Sequence, residues 1–326
     1  MRPGPSLPLL LAVALSSCVR LGGSPPADRD ATPPDLRTGE DIPGLPDAPM
    51  DAGADEAVDA AVDAGIDPLA PFGAAQLVSI SSSVTEDDPT LTSDMLEIYF
   101  NRAGDIWRAE RSSLGSAWSE PAVEASLSST SNETNPEITG DGLTIYFASD
   151  RAHPLASGGH DIYRATRPTR GATWSAAEPV TALNTAADDH PGISTDDRIM
   201  IIASTRPGIL GEHDFFETSR ASAGAPWGPV VWVKNVSSVA LEVSPWIDGT
   251  GTVLYYSSNR GGLPEVKIWA ATRGDPTQPF SAPQLVGSLD VGEKEEDPWL
   301  SQDLRTIYFS RRSAGRTDMD LFTAQR

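Results

Sequence analysis

Pairs of apolar or aromatic residues recur along the chain at intervals of 47 to 55 residues, and each pair lies ten residues after a proline. Turn-forming residues stand between each proline and its pair, which is typical of two strands joined by a tight reversal. The pattern therefore predicts that every repeat opens with a β-hairpin. The pairs are Tyr99-Phe100, Tyr146-Phe147, Ile201-Ile202, Tyr255-Tyr256 and Tyr308-Phe309.

A third segment follows each hairpin, and its apolar and polar positions alternate with a period of two, as in a half-buried strand. These segments begin at Asp105, Asp161, Asp214, Lys267 and Asp320. A fourth short strand is predicted after Trp118, Trp174, Trp227 and Phe280. Four antiparallel strands in each of five repeats, with no helical periodicity, predict an all-β fold, a five-bladed β-propeller.

The last repeat reaches Arg326 directly after its third strand, and Phe72 to Ile80 precede the first repeat where a fourth strand belongs. We therefore expect this N-terminal strand to complete the last blade and close the ring. A closed propeller leaves no blade with an unpaired edge, which would otherwise invite aggregation. The propeller is predicted to cover residues 72–326.

Residues 1–17 have the features of a secretory signal, with Arg2 followed by an apolar run much shorter than the roughly 20 residues of a membrane span. The sequence Leu15-Ser-Ser-Cys18 resembles the bacterial lipobox, and Cys18 is the only cysteine of the chain. Cys18 is therefore the predicted lipidation site, and its lipid is the expected membrane anchor. The alternative is an ordinary signal peptide with an incidental cysteine.

Residues 18–71 are rich in Asp, Ala and Pro, and aspartates recur at every fourth residue from Asp51 to Asp67. Like charges at that spacing repel one another on a helix, so we predict a disordered acidic tether. The net charge of the whole chain is −22, which argues against nucleic acid and against electrostatic binding to anionic lipid. The expected location is the bacterial cell envelope, at the outer membrane facing the periplasm or the exterior.

An acidic residue stands three positions before each repeat proline. If it precedes the innermost strand of its blade, the five acids form a ring at one mouth of the central channel, where their mutual repulsion needs positive charge. Two answers stay open: arginines or backbone N–H groups within each blade, or a structural Ca²⁺, with no other cofactor expected. The acids are Glu86, Glu133, Asp188, Glu242 and Glu295, and the arginines are Arg102, Arg151, Arg206, Arg260 and Arg311.

Three further groups of side chains are weaker candidates for a binding site, a metal site or structural ion pairs. Trp246 and Trp299 directly follow the proline in adjacent repeats, so they form either an aromatic platform for a sugar or peptide or part of the packing between blades. His160 and His213 occupy equivalent loops, but without a third close ligand they are a poor match to a zinc site. The repeat arginines are also expected to pair with the aspartates that begin the third strands.

Taken together, the motifs Glu-x-x-Pro, Ile-Tyr-Phe, Ser-x-Arg, Asp-Ile-Tyr and Trp-x-x-Pro resemble the WD-like propeller repeat of TolB-type periplasmic proteins. The resemblance covers 72–326 and implies a propeller used as a scaffold for binding. It departs from TolB itself, which has six blades and a separate N-terminal domain. The partners of TolB are therefore not carried over to this chain.

Two functions follow from this pattern. The favoured prediction is a monomeric, membrane-anchored and non-catalytic propeller that binds a protein or glycan of the envelope, because acids that recur equivalently in every repeat indicate architecture. The alternative is a five-bladed glycoside hydrolase acting on envelope or environmental polysaccharide. Hydrolysis would need two carboxyl groups in different environments near the channel.

Overall fold

The computed structural model describes residues 66–185 and 188–326, which fold into five four-stranded antiparallel sheets. The predicted signal peptide (1–17), Cys18 and the tether up to residue 65 lie outside the described residues. Nothing is described of the side chains of residues 188 and 189. No helix in the described part is long and apolar enough to cross a membrane.

The five sheets are the blades of a propeller, so the predicted five-bladed β-propeller is confirmed. Blade 1 is β2-β3-β4-β5, blade 2 is β6-β7-β8-β9, blade 3 is β10-β11-β12-β13, blade 4 is β14-β15-β16-β17, and blade 5 is β18-β19-β20-β1. A single 3₁₀ turn is described, at Arg260–Gly262. The strands are β1 (Gln76–Leu77), β2 (Glu86–Leu91), β3 (Glu97–Arg102), β4 (Asp105–Glu110), β5 (Ala122–Val123), β6 (Glu133–Ile138), β7 (Thr144–Ser149), β8 (Asp161–Thr166), β9 (Glu178–Pro179), β10 (Asp188–Ile193), β11 (Ile199–Ser204), β12 (Asp214–Ser219), β13 (Val231–Trp232), β14 (Glu242–Ile247), β15 (Val253–Ser258), β16 (Lys267–Thr272), β17 (Gln284–Leu285), β18 (Glu295–Leu300), β19 (Thr306–Arg312) and β20 (Met319–Gln325).

Each inner strand begins at the repeat acid itself, not after it as the sequence suggested, and it contains the repeat proline. Proline cannot donate to a ladder, so it is tolerated here because the inner strand is an edge strand and is bulged at this point. The residue before each proline has a positive φ, between 49° and 57°. These residues are Asp88, Asn135, His190, Ser244 and Asp297. We call the end of the propeller at which the inner strands begin the upper end.

The hydrophobic core lies between neighbouring blades. The aromatic pairs of the second strands are fully buried, for example Tyr146 and Phe147. Tyr99 of blade 1 belongs to the same cluster as Phe147 and Trp174 of blade 2, so one residue of each pair packs on the following blade. Blades therefore stabilise one another through their faces and do not have separate cores.

The N-terminal strand closes the ring, as predicted. β1 pairs with β20, with Gln76 opposite Thr323, and the pairing continues through Val78 N to Leu321 O at 2.8 Å. Phe72 and Val78 are about 5% exposed. Blade 5 is thus built from both ends of the propeller domain.

Two sets of arginines recur in every blade. The loop arginines, which the sequence analysis singled out, each donate to a backbone carbonyl of the loop that precedes their blade and lie over an aromatic ring of the third strand. Arg102, for example, donates to Ile80 O at 3.0 Å and lies 4.5 Å from the Trp107 ring. The loop arginines are Arg102, Arg151, Arg206, Arg260 and Arg311.

The interblade arginines were not recognised in the sequence. Each follows a third strand at the lower end, stacks on an aromatic ring at 4.1 to 4.5 Å, and reaches a side chain of the preceding blade. They are Arg111, Arg167, Arg220, Arg273 and Arg326, stacked on Trp118, Trp174, Trp227, Phe280 and Phe72. Phe72 therefore provides for blade 5 the ring that the Trp-x-x-Pro segment provides elsewhere.

Candidate functional site

The repeat acids lie inside their blades and do not line the channel. The described side chains of Glu86, Glu133, Glu242 and Glu295 are at most 1% exposed. Each accepts hydrogen bonds from the loop that precedes its strand, as Glu133 does from Ser129 N at 2.8 Å. The prediction that these acids form a ring at the channel mouth is therefore wrong for the four described side chains. Side chains alternate along a strand, and the first side chain of each inner strand points away from the axis. Nothing is described of the side chain of Asp188.

Positively charged side chains of the protein itself compensate the charge of these acids. Glu86 pairs with Arg102 at 3.0 Å, and Glu295 pairs with Lys267 at 2.7 Å. The loop arginines thus pair with the acid of the first strand, and the expected pairing with the third-strand aspartates is corrected. Asp161, for example, accepts from Ser157 N at 2.8 Å instead. Within residues 66–185 and 188–326, no group of three or more His, Cys, Asp or Glu side chains is arranged to hold a metal ion.

We therefore expect the melting temperature of the propeller to be the same with and without EDTA. Ion pairs and backbone N–H groups already satisfy the described repeat acids, so chelation removes nothing from them. The measurement is a thermal melt in EDTA and in added calcium, with metal analysis of the purified protein. A lower melting temperature in EDTA that calcium restores would revive the structural Ca²⁺ hypothesis.

The two tryptophans are packed in the core and do not form an accessible platform. Trp246 and Trp299 are each 2% exposed. Their rings lie edge-on against Tyr255 at 6.3 Å and Tyr308 at 6.1 Å, and both belong to a cluster formed by blades 1, 4 and 5. The contacts agree with the packing interpretation and not with sugar stacking.

The residues that do line the propeller axis are those directly before the repeat prolines. We call them the axial ring: Asp88, Asn135, His190, Ser244 and Asp297. Asn135 donates to Asp88 from its backbone N at 3.1 Å and from Nδ2 at 2.7 Å, and its Nδ2 lies 3.0 Å from His190 Nδ1. Ser244 Oγ lies 3.2 Å from His190 Nδ1 and donates to Asp297 Oδ1 at 2.6 Å. Asp88 N donates to Asp297 Oδ2 at 3.3 Å, which completes the circle.

Carboxyl groups concentrate on one side of this axis. Blades 1 and 5 each carry two adjacent acids, and their inner strands meet at the hydrogen bond between Asp88 N and Asp297. We call these four residues the carboxyl cluster: Asp87, Asp88, Glu296 and Asp297. Blades 2 and 4 have Thr134-Asn135 and Val243-Ser244 at the same positions. The cluster is therefore not a repeated architectural feature of all blades.

Burial and crowding favour the protonated forms of Asp87, Asp88 and Glu296. Burial, and then the charge of Asp297, raise the pKa of Asp87 and of Asp88 well above the ordinary range. Burial and the same neighbour raise the pKa of Glu296 to about 7, against the opposing charge of Lys294. Lys294 Nζ pairs with Glu296 Oε1 at 2.5 Å, while Asp87 Oδ1 is buried without a hydrogen-bond partner among the described residues.

This arrangement provides acid and base in one place. A carboxyl group with a pKa near 7 donates a proton efficiently at neutral pH, and a neighbouring carboxylate can accept one. Unequal environments for paired carboxyl groups are what hydrolysis of a glycosidic bond requires. The signal was present in the sequence, where the first and last repeats read Glu-Asp-Asp-Pro and Glu-Glu-Asp-Pro. These acids depart from the repeat, whereas the acid before them is shared by all five repeats and dominates the pattern.

Similar structures come from two kinds of protein, whereas no protein-family model and no curated protein matches this chain. A putative TolB from Agrobacterium tumefaciens is 14% identical over 74% of this chain and 77% of that chain, with a TM-score of 0.48. An α-L-arabinofuranosidase from Lactobacillus brevis is 14% identical over 74% and 90%, with a TM-score of 0.51. Bacteroides ovatus GH43B of a xyloglucan utilisation locus is 14% identical over 77% and 54%, with a TM-score of 0.50. At such identities these likenesses show the fold alone.

The prediction that this chain is not an enzyme is wrong. It rested on the propeller as a binding scaffold and on acids that recur equivalently in every repeat. The fold is shared with an arabinofuranosidase, and among the described side chains the paired acids occur on blades 1 and 5 only. A propeller fold is therefore not limited to binding scaffolds, and the second premise holds for the shared repeat acids but not for the carboxyl cluster.

Proposed function

We propose that this protein is a glycoside hydrolase of the bacterial cell envelope, with the carboxyl cluster as its reactive centre. The observation that carries the proposal is the placement of Asp87, Asp88, Glu296 and Asp297 at one side of the axis in unlike environments. The arabinofuranosidase-like fold supports a polysaccharide as the substrate class. The lipobox at Cys18 supports display from the outer membrane on the acidic tether.

In this proposal Glu296 is the general acid. Burial favours its protonated form, and its Oε1 is fixed by Lys294 Nζ at 2.5 Å, so the proton is carried at a defined position. Donation to the oxygen of the leaving sugar is easier from such a group than from a carboxylic acid that is ionised at neutral pH. The result is a neutral leaving alcohol and an ionised Glu296.

Asp87 is the partner carboxylate. It belongs to the adjacent blade, burial and then the charges of Asp297 and Glu296 raise its pKa, and its Oδ1 has no hydrogen-bond partner among the described residues. Two coupled carboxyl groups lose their protons in separate steps, and the proposal requires that Asp87 ionise before Glu296, so that Glu296 holds a proton while Asp87 is ionised over an intermediate pH range. The ionised oxygen is then available to activate water or to attack the sugar.

The test is release of reducing sugar from arabinan, xylan and nitrophenyl furanosides by the full chain. We expect Glu296→Gln and Asp87→Asn each to lower kcat by about 100-fold or more, the usual contribution of a positioned acid or base. Activity should fall as pH rises through about 7, because Glu296 then loses the proton it must donate. The matched control is Glu110→Gln, whose carboxylate is 60% exposed on β4.

Two results would contradict the proposal. One is the absence of hydrolysis from every substrate of the panel, and the other is full activity in Glu296→Gln. Unaltered melting temperatures in the two cluster variants would show that a loss of activity is chemical and not a loss of fold.

A further inference from the structure

A groove between blades 4 and 5, at the lower end, holds a segment of the chain itself. Residues 67–71 lie in it, and Tyr255 Oη donates to Pro68 O. Arg326 Nη1 donates to Pro68 O at 2.9 Å and to Ala70 O at 2.8 Å. Leu69 packs against the core cluster beneath. The groove thus recognises an extended, proline-containing segment through its backbone carbonyls.

The groove between blades 5 and 1 has the same floor, and no segment of residues 66–185 or 188–326 lies in it as 67–71 lie in the first groove. Tyr308, Arg111 and Gln76 occupy the repeat positions of Tyr255, Arg326 and Gln284. The volume is about 320 Å³. Arg111 is held as Arg326 is, with Nε on the carbonyl of a positive-φ residue at 2.9 Å, the guanidinium over Trp118 at 4.3 Å, and Nη2 3.4 Å from Tyr308 Oη.

One position distinguishes these two grooves from the grooves that follow blades 1 and 2. The residue paired with the groove tyrosine is Ala270 beside Tyr255 and Thr323 beside Tyr308. In the grooves that follow blades 1 and 2 the same position carries a long side chain, Arg108 and Arg164. Arg108 pairs at 3.3 Å with Glu97 of its own blade, the carboxylate that Arg167 of blade 2 also reaches. The first two grooves therefore carry a small residue where the grooves after blades 1 and 2 carry an arginine.

We propose that the groove between blades 5 and 1 binds an extended, proline-containing segment of a partner polypeptide. Its backbone carbonyls, two residues apart, accept hydrogen bonds from Tyr308 Oη and Arg111, as Pro68 and Ala70 do from Tyr255 and Arg326. The segment in the first groove contains two prolines, Pro68 and Pro71. Prolines at these positions of a partner segment would favour the extended conformation before binding, so less conformational entropy is lost on docking. The groove lies at the opposite end of the blades from the carboxyl cluster, so this inference does not depend on hydrolysis.

The experiment uses the full chain with methionine methyl groups labelled with ¹³C. The probe is the synthetic peptide Ile-Asp-Pro-Leu-Ala-Pro-Phe, the sequence of residues 66–72. Met95 lines the groove between blades 5 and 1, while Met200 and Met319 are buried elsewhere. We expect the peptide to shift the Met95 signal in a saturable way and to leave the other two unchanged.

Two variants test the groove, and two controls test its specificity. Thr323→Arg copies the arginine of blades 1 and 2 and should weaken peptide binding by at least tenfold. Tyr308→Phe keeps the packing and removes one donor, so a severalfold loss is expected. Tyr255→Phe, in the neighbouring groove, should leave the Met95 titration unchanged, and a peptide with both prolines replaced by glycine should bind more weakly.

The proposal is overturned by either of two outcomes. One is no change at Met95 up to millimolar peptide. The other is a titration that Thr323→Arg and Tyr308→Phe both leave intact, which would place the peptide elsewhere on the protein.

Discussion

We expect removal of residues 1–81 to lower the melting temperature of the propeller by roughly 10 to 20 °C, and removal of residues 1–65 to leave it unchanged. The longer deletion takes away the fourth strand of blade 5 and three buried side chains, Phe72, Val78 and Ile80. Each contributes about 1.5 to 3 kcal/mol on burial. It also leaves Arg326 without the ring on which it stacks and exposes the edge of β20.

An intermediate deletion makes the comparison sharper. Removing residues 1–71 takes away the segment held by Tyr255 and Arg326 but leaves β1 in place, so a smaller drop of a few degrees is expected. Pro68 and Ala70 already contact the propeller, although the predicted propeller begins at residue 72. Closure by the N-terminal strand is refuted if the deletions of 1–65 and 1–81 melt at the same temperature.

The second large effect is expected for Arg167→Ala, with a loss of about 3 to 5 kcal/mol in the free energy of unfolding. The Arg167 side chain is 1% exposed and donates to Glu97 Oε2 at 2.6 Å and to Gly142 O at 2.6 Å. Its removal leaves Glu97 buried beside a vacated site between blades 1 and 2. Denaturant unfolding of the variant and the wild type gives the difference directly.

Arg170→Ala is the matched control. Arg170 pairs with Asp94 across the same two blades, but the two side chains are 33% and 40% exposed. Solvent screens such a pair, and about 1 kcal/mol or less is expected. Equal effects of the two substitutions would contradict the view that the buried interblade arginines stabilise the ring.

The loss in Arg167→Ala should depend on pH. Burial by itself would raise the pKa of Glu97, but the Arg167 hydrogen bond and the charges of Arg108 and Arg167 bring it below its ordinary value. A carboxyl group with a lowered pKa stabilises the fold above its unfolded-state pKa and ceases to do so as pH falls. The difference between variant and wild type is therefore expected to shrink below about pH 4, where the unfolded carboxyl group is protonated.

The blade count and the ring closure were predictable because they depend on local periods. The proline and the aromatic pair keep a fixed distance in every repeat, and Phe72 begins a segment that matches the fourth strands. A fixed spacing of this kind predicts the order of the strands without any knowledge of which side chains are in contact. The interblade arginines were not predictable in the same way, because Arg167 and Glu97 are 70 residues apart in sequence.

The candidate site was missed for a geometric reason. The sequence placed Glu86 at the channel, but Glu86 is buried within its blade, and Asp88, the residue at the bulge, lines the axis. A bulge cannot be placed from the hydrophobic pattern, since it shifts which side chain faces which way by one residue. In the sequence, the candidate site was indicated by Asp87 and Glu296, which depart from the repeat, and not by the acid that all repeats share.

The hydrogen-bonded axial ring closes the centre of this propeller, which is therefore not an open channel. The space enclosed by the ring residues and the repeat prolines measures about 10 Å³, close to the volume of a single water molecule's probe sphere. If the carboxyl cluster acts on a sugar as proposed, the substrate must therefore enter and the product must leave at the same end of the propeller.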